Sequence, residues 1–187
     1  ESAENRTTRQ WSTTSEDCNW WGKCTTTVTH GVEDKTTQVG SDVKAATVDI
    51  SAGKDLTTVA STIQGGDVSL SAQGKIDYLA ALNVDKSEVQ SNSSSSWMGI
   101  DMKWLTAKPT DKETKDSSIQ TRAATTQLQS EADILSESGG NTLLQGTQVK
   151  AQNFTVNAGV GAAADPNAKI IIEGVKETLQ TSHTEKS

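Results

Sequence analysis

Apolar and polar positions alternate most regularly at 40–52, GSDVKAATVDISA, where Val48 and Ile50 stand out from small and polar neighbours. The pattern returns 20 residues on in ASTIQGGDVSLSA, so that Val43, Val48, Ile50 and Ala52 recur as Ile63, Val68, Leu70 and Ala72. A third copy, GTQVKAQNFTVNA at 146–158, sets Val149, Phe154 and Val156 at the same template positions. Alternation over such short stretches predicts strands with one face buried, and the Gly-containing segments between them predict tight corners. Self-similarity at a period near 20 predicts units that stack on one another, each burying its apolar face against the next.

The period narrows the fold. A helix of about 10–12 residues with its loops would leave little of each repeat, and the Gly, Ser and Thr content opposes it. The fixed leucines of a leucine-rich repeat are absent, a propeller blade needs about twice the period, and Gly65-Gly66-Asp67 is an isolated fragment of the calcium-roll nonapeptide. The expectation is an all-β chain, a right-handed parallel β-helix (a solenoid) with coils of about 20 residues and β-strand or hairpin excursions. Its interior files would hold Val43, Val48, Ile50, Leu56, Ile63, Val68, Leu70, Ile76, Val149, Phe154, Val156, Ile170 and Ile172.

This divides the chain into a Trp-rich N-terminal segment (1–27), a first β-helix block (28–85), an excursion (86–124), a second block (125–180) and a polar tail (181–187). The first block is extended back to Val28 and Val39, one period ahead of Val48 and Val59. Thr126 and Leu128 begin the second, 21 residues ahead of Thr147 and Val149, and six or seven coils are expected in all. Within the excursion, Met98, Ile100, Met102 and Trp104 alternate as in a strand, while 106–118 reads as an exposed charged loop. Trp97-Met98-Gly99 echoes Trp20-Trp21-Gly22, which suggests a larger duplication.

Composition suits such a chain. A hydrophobic content of 33% is low for a bulky core but adequate for thin files between coils. The net charge of −7 argues against nucleic acid as a partner, because displacing phosphate counterions needs clustered cations, and it equally disfavours docking on anionic lipid. No apolar run approaches the roughly 20 residues that span a bilayer. With no signal-peptide core and no initiator Met, the sequence reads as an internal piece of a longer protein.

Cys18 and Cys24 are spaced more widely than a structural zinc pair and have no second pair nearby, so a local disulfide closing a hairpin is favoured over metal, in an oxidising compartment. The neighbouring tryptophans could form a sugar-binding platform, but a cluster covering the end of a core is the favoured reading. Asp49, Asp55 and Asp67 fall in or beside turns, and His30 and His183 lack a nucleophile motif. No catalytic, cofactor-binding or metal-ligating residue is therefore assigned, and no cofactor is expected.

The phrases DISAGKDLTTVASTIQGGDVSLSAQGKID and NTLLQGTQVKAQNFTVNAG closely resemble the hemagglutinin repeats of filamentous hemagglutinin-type exoproteins, including the large effectors of contact-dependent growth inhibition. The Ser-rich SSSSWMGID segment fits the same pattern, and the resemblance covers about residues 35–180. It implies export by two-partner secretion through an outer-membrane transporter, and a place in a long filament on the Gram-negative cell surface. It also implies a role in carrying a toxin across the target cell's outer membrane, and it transfers no catalytic residue. The partners expected are thus adjacent coils of the filament, the transporter and the target outer membrane. The candidate contact surface is Trp20, Trp21, Trp97, Met98 and Trp104. The alternative is a carbohydrate- or host-cell-binding adhesin, with a glycan-degrading enzyme on a β-helix less favoured. The Cys pair has no counterpart in the general repeat.

Overall fold

The computed structural model describes residues 3–20, 22–97, 111–162 and 164–186. The fold is all-β, with no helix among the described residues. Two long strands come first, β1 (Ala3–Cys18) and β2 (Lys23–Val39). Two passes of three short strands follow: β3 (Asp42–Lys44), β4 (Thr47–Ala52) and β5 (Leu56–Val59), then β6 (Thr62–Gly65), β7 (Asp67–Ala72) and β8 (Ile76–Leu79). The long strands β9 (Ala81–Trp97) and β10 (Lys112–Ala124) interrupt. A third pass holds β11 (Gln127–Ser130), β12 (Asp133–Ser138) and β13 (Thr142–Gln145). The fourth holds β14 (Gln148–Lys150), β15 (Asn153–Ala158) and β16 (Ile170–Glu173), and β17 (Thr178–Lys186) follows it.

The chain divides into two compact units, the first made of Glu1–Asn5, Thr37–Asn83 and Arg122–Glu177. In this unit equivalent strands of the four passes pair parallel in three four-stranded sheets, ordered β14-β11-β6-β3, β15-β12-β7-β4 and β16-β13-β8-β5. The registers reproduce the sequence repeat. Val48 lies beside Val68, Val68 beside Ile134 and Ile134 beside Phe154, while the next inward row runs Ile50, Leu70, Ser136, Val156. Leu56, Ile76, Thr142 and Ile170 form a third row, and Val43, Ile63, Leu128 and Val149 a fourth. Corners are tied between passes as well: Asp55 Oδ1 accepts from Lys75 N at 2.9 Å, and Gly66 N donates to the Ala46 carbonyl at 2.7 Å. At Gly40 a Cβ would overlap the Ala60 carbonyl, so this corner has room only for glycine.

The core sits between the sheets. Val48, Ile63, Val68, Leu70 and Ile76 are buried in it, with Ile50, Leu56 and Phe154 packed half-buried against it. Val156 is also half-buried. Four of the residues expected inside are not: Val43 and Val149 are each 38% exposed, Ile170 47% and Ile172 80%. They belong to β3, β14 and β16, strands that end their sheets and, among the described residues, have a neighbour on one side only. The core also contains Tyr78, Leu128, Ile134 and Leu144, and the polar Thr126, Ser136, Ser138 and Thr142, all buried.

There are four passes among the described residues where six or seven coils were expected. The stretch 28–39 keeps the alternation of a strand but spends it in β2, whose threonines pair antiparallel with the serines of β9 from Lys23↔Trp97 to Thr36↔Val84. Residues 112–118, expected as a loop, and 181–186, expected as a loose tail, pair antiparallel as β10 and β17. Strand-forming Thr and Ser residues and opposite charges across strands favour that pairing. The alternating run Met98 to Trp104 lies outside the described residues.

The second unit comprises Arg6–Thr36, Val84–Thr121 and Thr178–Ser187. Its long strands belong to a five-stranded sheet ordered β1-β2-β9-β10-β17. Thr27 and Ser93 hydroxyls bond across β2 and β9 at 3.0 Å, and Thr121 and Thr178 across β10 and β17 at 2.9 Å. Gly31 is buried because the Trp11 ring occupies the space where a side chain would stand.

Candidate functional site

The candidate surface begins at the turn between β1 and β2. Gly22 takes a φ of 78°, which glycine adopts without strain, and Asn19 closes the turn. Its Oδ1 accepts from Lys23 N at 2.9 Å and its carbonyl from Gly22 N at 3.0 Å. A Cys18–Cys24 disulfide clamps the ends of this turn, with the two Cα atoms 4.0 Å apart. Glu16 is the one acidic group gathered with these cysteines among the described residues, 3.9 Å from Cys18 Sγ. Both sulfurs are spent in the bond, so no thiolate is left to ligate a metal there.

Trp20 stands on this turn 82% exposed. The β2–β9 register brings Trp97 opposite Lys23 and Ser96 opposite Cys24, so the two Trp-containing segments meet at one end of the sheet. Trp21, Met98, Trp104 and the side chain of Trp97 lie outside the described residues. The spacing of 77 residues between the echoing segments signalled a relation; the antiparallel register that joins them was not legible from it.

Shallow grooves that carry hydroxyl, amide and charged side chains mark the faces. One of about 380 Å³ is lined by Thr26, Val28, Asn92, Ser94, Glu113 and Lys186, and one of about 290 Å³ by Ser87, Val89, Ser118, Thr181 and His183. A third, of about 470 Å³, lies in the first unit and is lined by Gln64, Gln129, Glu131, Lys150 and Gln152. Hydroxyls and amides there can hydrogen-bond a polar ligand. His183 Nδ1 bonds Asp116 Oδ1, which resembles half of a nucleophile-activating pair, but its Nε2 faces the Glu185 carboxylate at 4.0 Å. A carboxylate in that place supplies no hydroxyl to deprotonate. His30 is exposed on β2 opposite Gln90.

The charged groups with shifted titration are paired across or along strands. The hydrogen bond from Arg6 holds the Asp34 carboxyl below its usual range, and that from Lys112 does the same for Glu185. Asp77 raises Lys75 by accepting from its ammonium. Arg6–Asp34 and Lys112–Glu185 join neighbouring strands and favour one register, while Lys75–Asp77 lies along a single stretch of chain. Asp49 and Asp67 are exposed, and Asp55 caps a corner as described above.

No curated protein and no solved structure gives a significant match to this chain. One family profile, described as hemagglutinin repeat, matches residues 23–186. That span starts with the first residue of β2 and ends with the last of β17, and the chain belongs to the hemagglutinin-repeat family.

Proposed function

We propose that this chain is a non-catalytic segment of a long secreted filament on the outer surface of a Gram-negative cell, and that its passes are coils of a right-handed parallel β-helix. The observation that carries the reading is the use of the repeat itself. The positions that recur in sequence stack on one another as Val48, Val68, Ile134 and Phe154, so the pattern is spent on laying one pass against the next. Stacked passes need only the preceding pass as template, which suits a chain that folds as it leaves an outer-membrane transporter. Within that filament the Trp-bearing end of the five-stranded sheet is the contact surface, directed at the target cell's outer membrane during toxin delivery in contact-dependent growth inhibition.

The test displays the segment within a two-partner-secretion passenger and follows its arrival at the cell surface by protease accessibility. Surface arrival is expected for the native sequence, and stalling for Leu70→Asp, which buries a charge between passes. Equal display of both would count against stacking-driven export. Binding to outer-membrane vesicles should weaken when Trp20, Trp97 and Trp104 are replaced by Ala; undiminished binding removes the contact claim. A specific hit on a glycan array, or release of reducing sugar, would transfer the chain to the adhesin or enzyme reading.

A further inference from the structure

The Cys18–Cys24 turn gathers more than its covalent bond needs. The ligand atoms of Glu16, Cys18 and Cys24 all lie within 4.8 Å of one another. Glu16 and Cys18 are exposed and Cys24 is half-buried, so a reductant in solution reaches the disulfide. The turn between the cysteines also has a closure of its own. Asn19 N donates to the Lys23 carbonyl at 2.9 Å, Gly22 N to the Asn19 carbonyl at 3.0 Å and Lys23 N to Asn19 Oδ1 at 2.9 Å, and none of these bonds involves a sulfur. Breaking the disulfide therefore leaves two thiols and a carboxylate held in one place. We propose that the reduced form of this turn is a zinc site, with Cys18 and Cys24 as thiolate ligands, Glu16 as the carboxylate ligand and water in the fourth position.

The donor set decides the metal. Two thiolates with one carboxylate suit a borderline-soft divalent ion, whereas magnesium and calcium take oxygen ligands. Around tetrahedral zinc, two ligand sulfurs stand about 3.8 Å apart and a carboxylate oxygen about 3.5 Å from each. With the Cα atoms 4.0 Å apart, rotation of the cysteine side chains reaches that spacing. A sequence separation of 6 is wide for a zinc pair, but the hairpin folds the chain back and supplies the closeness that the spacing withholds. Entry into the site is a two-electron step. One thiolate of a dithiol reductant attacks the exposed Cys18 sulfur and expels the Cys24 thiolate. The second thiolate of the reductant then displaces Cys18, which leaves a cyclic disulfide on the reductant and two reduced cysteines. Zinc takes the place of the two thiol protons, which pass to solvent. Disulfide and metal thus exclude each other while clamping the same turn. Trp20, 82% exposed on it, is held on a closed turn in oxidising surroundings and in reducing ones that contain zinc.

Cobalt(II), a spectroscopic stand-in for zinc, tests this on the 187-residue chain reduced with a phosphine, which leaves no competing thiol. One equivalent should give the visible bands of a tetrahedral ion and a sulfur-to-metal charge-transfer band in the near ultraviolet, and zinc should erase both. The oxidised chain and Cys18→Ser should show neither. Glu16→Gln should bind several-fold more weakly, while Asp17→Asn, outside the cluster, should bind as the native chain does. Amide exchange at the turn, quickened by reduction, should slow again when zinc is added. An equal response from the oxidised chain, no charge-transfer band from the reduced one, or one ion shared between two chains in sedimentation would overturn the site. Native affinity in Glu16→Gln would overturn the carboxylate ligand, and exchange that stays fast with zinc bound would overturn the clamp.

Discussion

The buried pair Tyr78–Ser136 offers a sharp energetic test. Tyr78 OH and Ser136 Oγ are 2.8 Å apart and both residues are 0% exposed. Tyr78 belongs to the second pass and Ser136 to the third, so their bond crosses between passes. Tyr78→Phe removes one hydroxyl and leaves the other buried without a partner, which costs about 1–3 kcal/mol; Ser136→Ala does the same from the other side. The double variant strands neither group, and replacing both partners by apolar groups is close to neutral. The double-mutant cycle should therefore give a favourable coupling of at least about 2 kcal/mol. With a urea slope of roughly 2 kcal/mol/M, each single change lowers the unfolding midpoint by about 0.5–1.5 M, and the double change by less than the larger single one. Additive losses would show that the hydroxyls do not depend on each other and would refute the argument.

Three further outcomes are expected. Burial pushes the Tyr78 hydroxyl up to about 12, with the Ser136 hydrogen bond pulling the other way. An unfolded tyrosine ionises near about 10, so the stability held by neutral Tyr78 is whole below that pH and declines by about 3 kcal/mol as pH rises toward 12. As the chain has one tyrosine, absorbance at 295 nm reads it directly, and ionisation of the folded protein near pH 10 would contradict the burial. Leu70→Ala, at 0% exposure, should cost about 2–5 kcal/mol by denaturant titration, against less than about 1 kcal/mol for Ile172→Ala at 80%; equal costs would mean that the ends are as well packed as the middle. Reduction of Cys18–Cys24 should remove about 2 kcal/mol from the β1–β2 turn by the loop-entropy model. Amide exchange should quicken there and stay unchanged in β7 and β12, so equal acceleration in both places would refute a local clamp.

The stacked strands were legible because their alternation and their period carry the same message. Val48, Val68 and Phe154 were placed in one file from spacing alone, and the structure sets them there with Ile134 between Val68 and Phe154. The third pass showed only as a degenerate copy, marked by Thr126 and Leu128, because Leu70, Ala72 and Ile76 give way in it to Ser136, Ser138 and Thr142, which read as polar in a search for apolar repeats. The long sheet was hidden for a related reason. Thr25, Thr27 and Thr29 face Ser95, Ser93 and Ser91 across β2 and β9, and paired hydroxyls leave no hydrophobic trace in the sequence. At the candidate surface, the cysteine pair announced its own turn, while the meeting of Trp97 with Lys23 needed a register that residue types do not specify.

The buried hydroxyls of the third pass stand where the chain gives least help. The first pass runs directly into the second through Ala60-Ser61, and the third into the fourth through Gly146-Thr147, so short links fix those two registers. Between the second and third passes the chain leaves through β9 and returns through β10, and no short link constrains how β12 lies on β7. Alternation has a period of two, so a two-residue slip of β12 would keep apolar side chains inward. It would, however, break Tyr78–Ser136 and also the bond from Thr126 Oγ1 to the Leu79 carbonyl, at 2.7 Å, leaving buried polar groups unpaired. At about 1–3 kcal/mol for each stranded group, two lost bonds outweigh what a slip could recover by repacking. Polar groups inside an apolar file thus select one register, as a buried asparagine does in a coiled coil. The combined variant Tyr78→Phe, Thr126→Val, Ser136→Ala should keep its overall strand content while losing that selection. Cysteines introduced at Ser69 and Leu135, which are register partners, should cross-link fully in the otherwise native chain and only in part in the combined variant. Complete cross-linking in both would assign the register to packing alone.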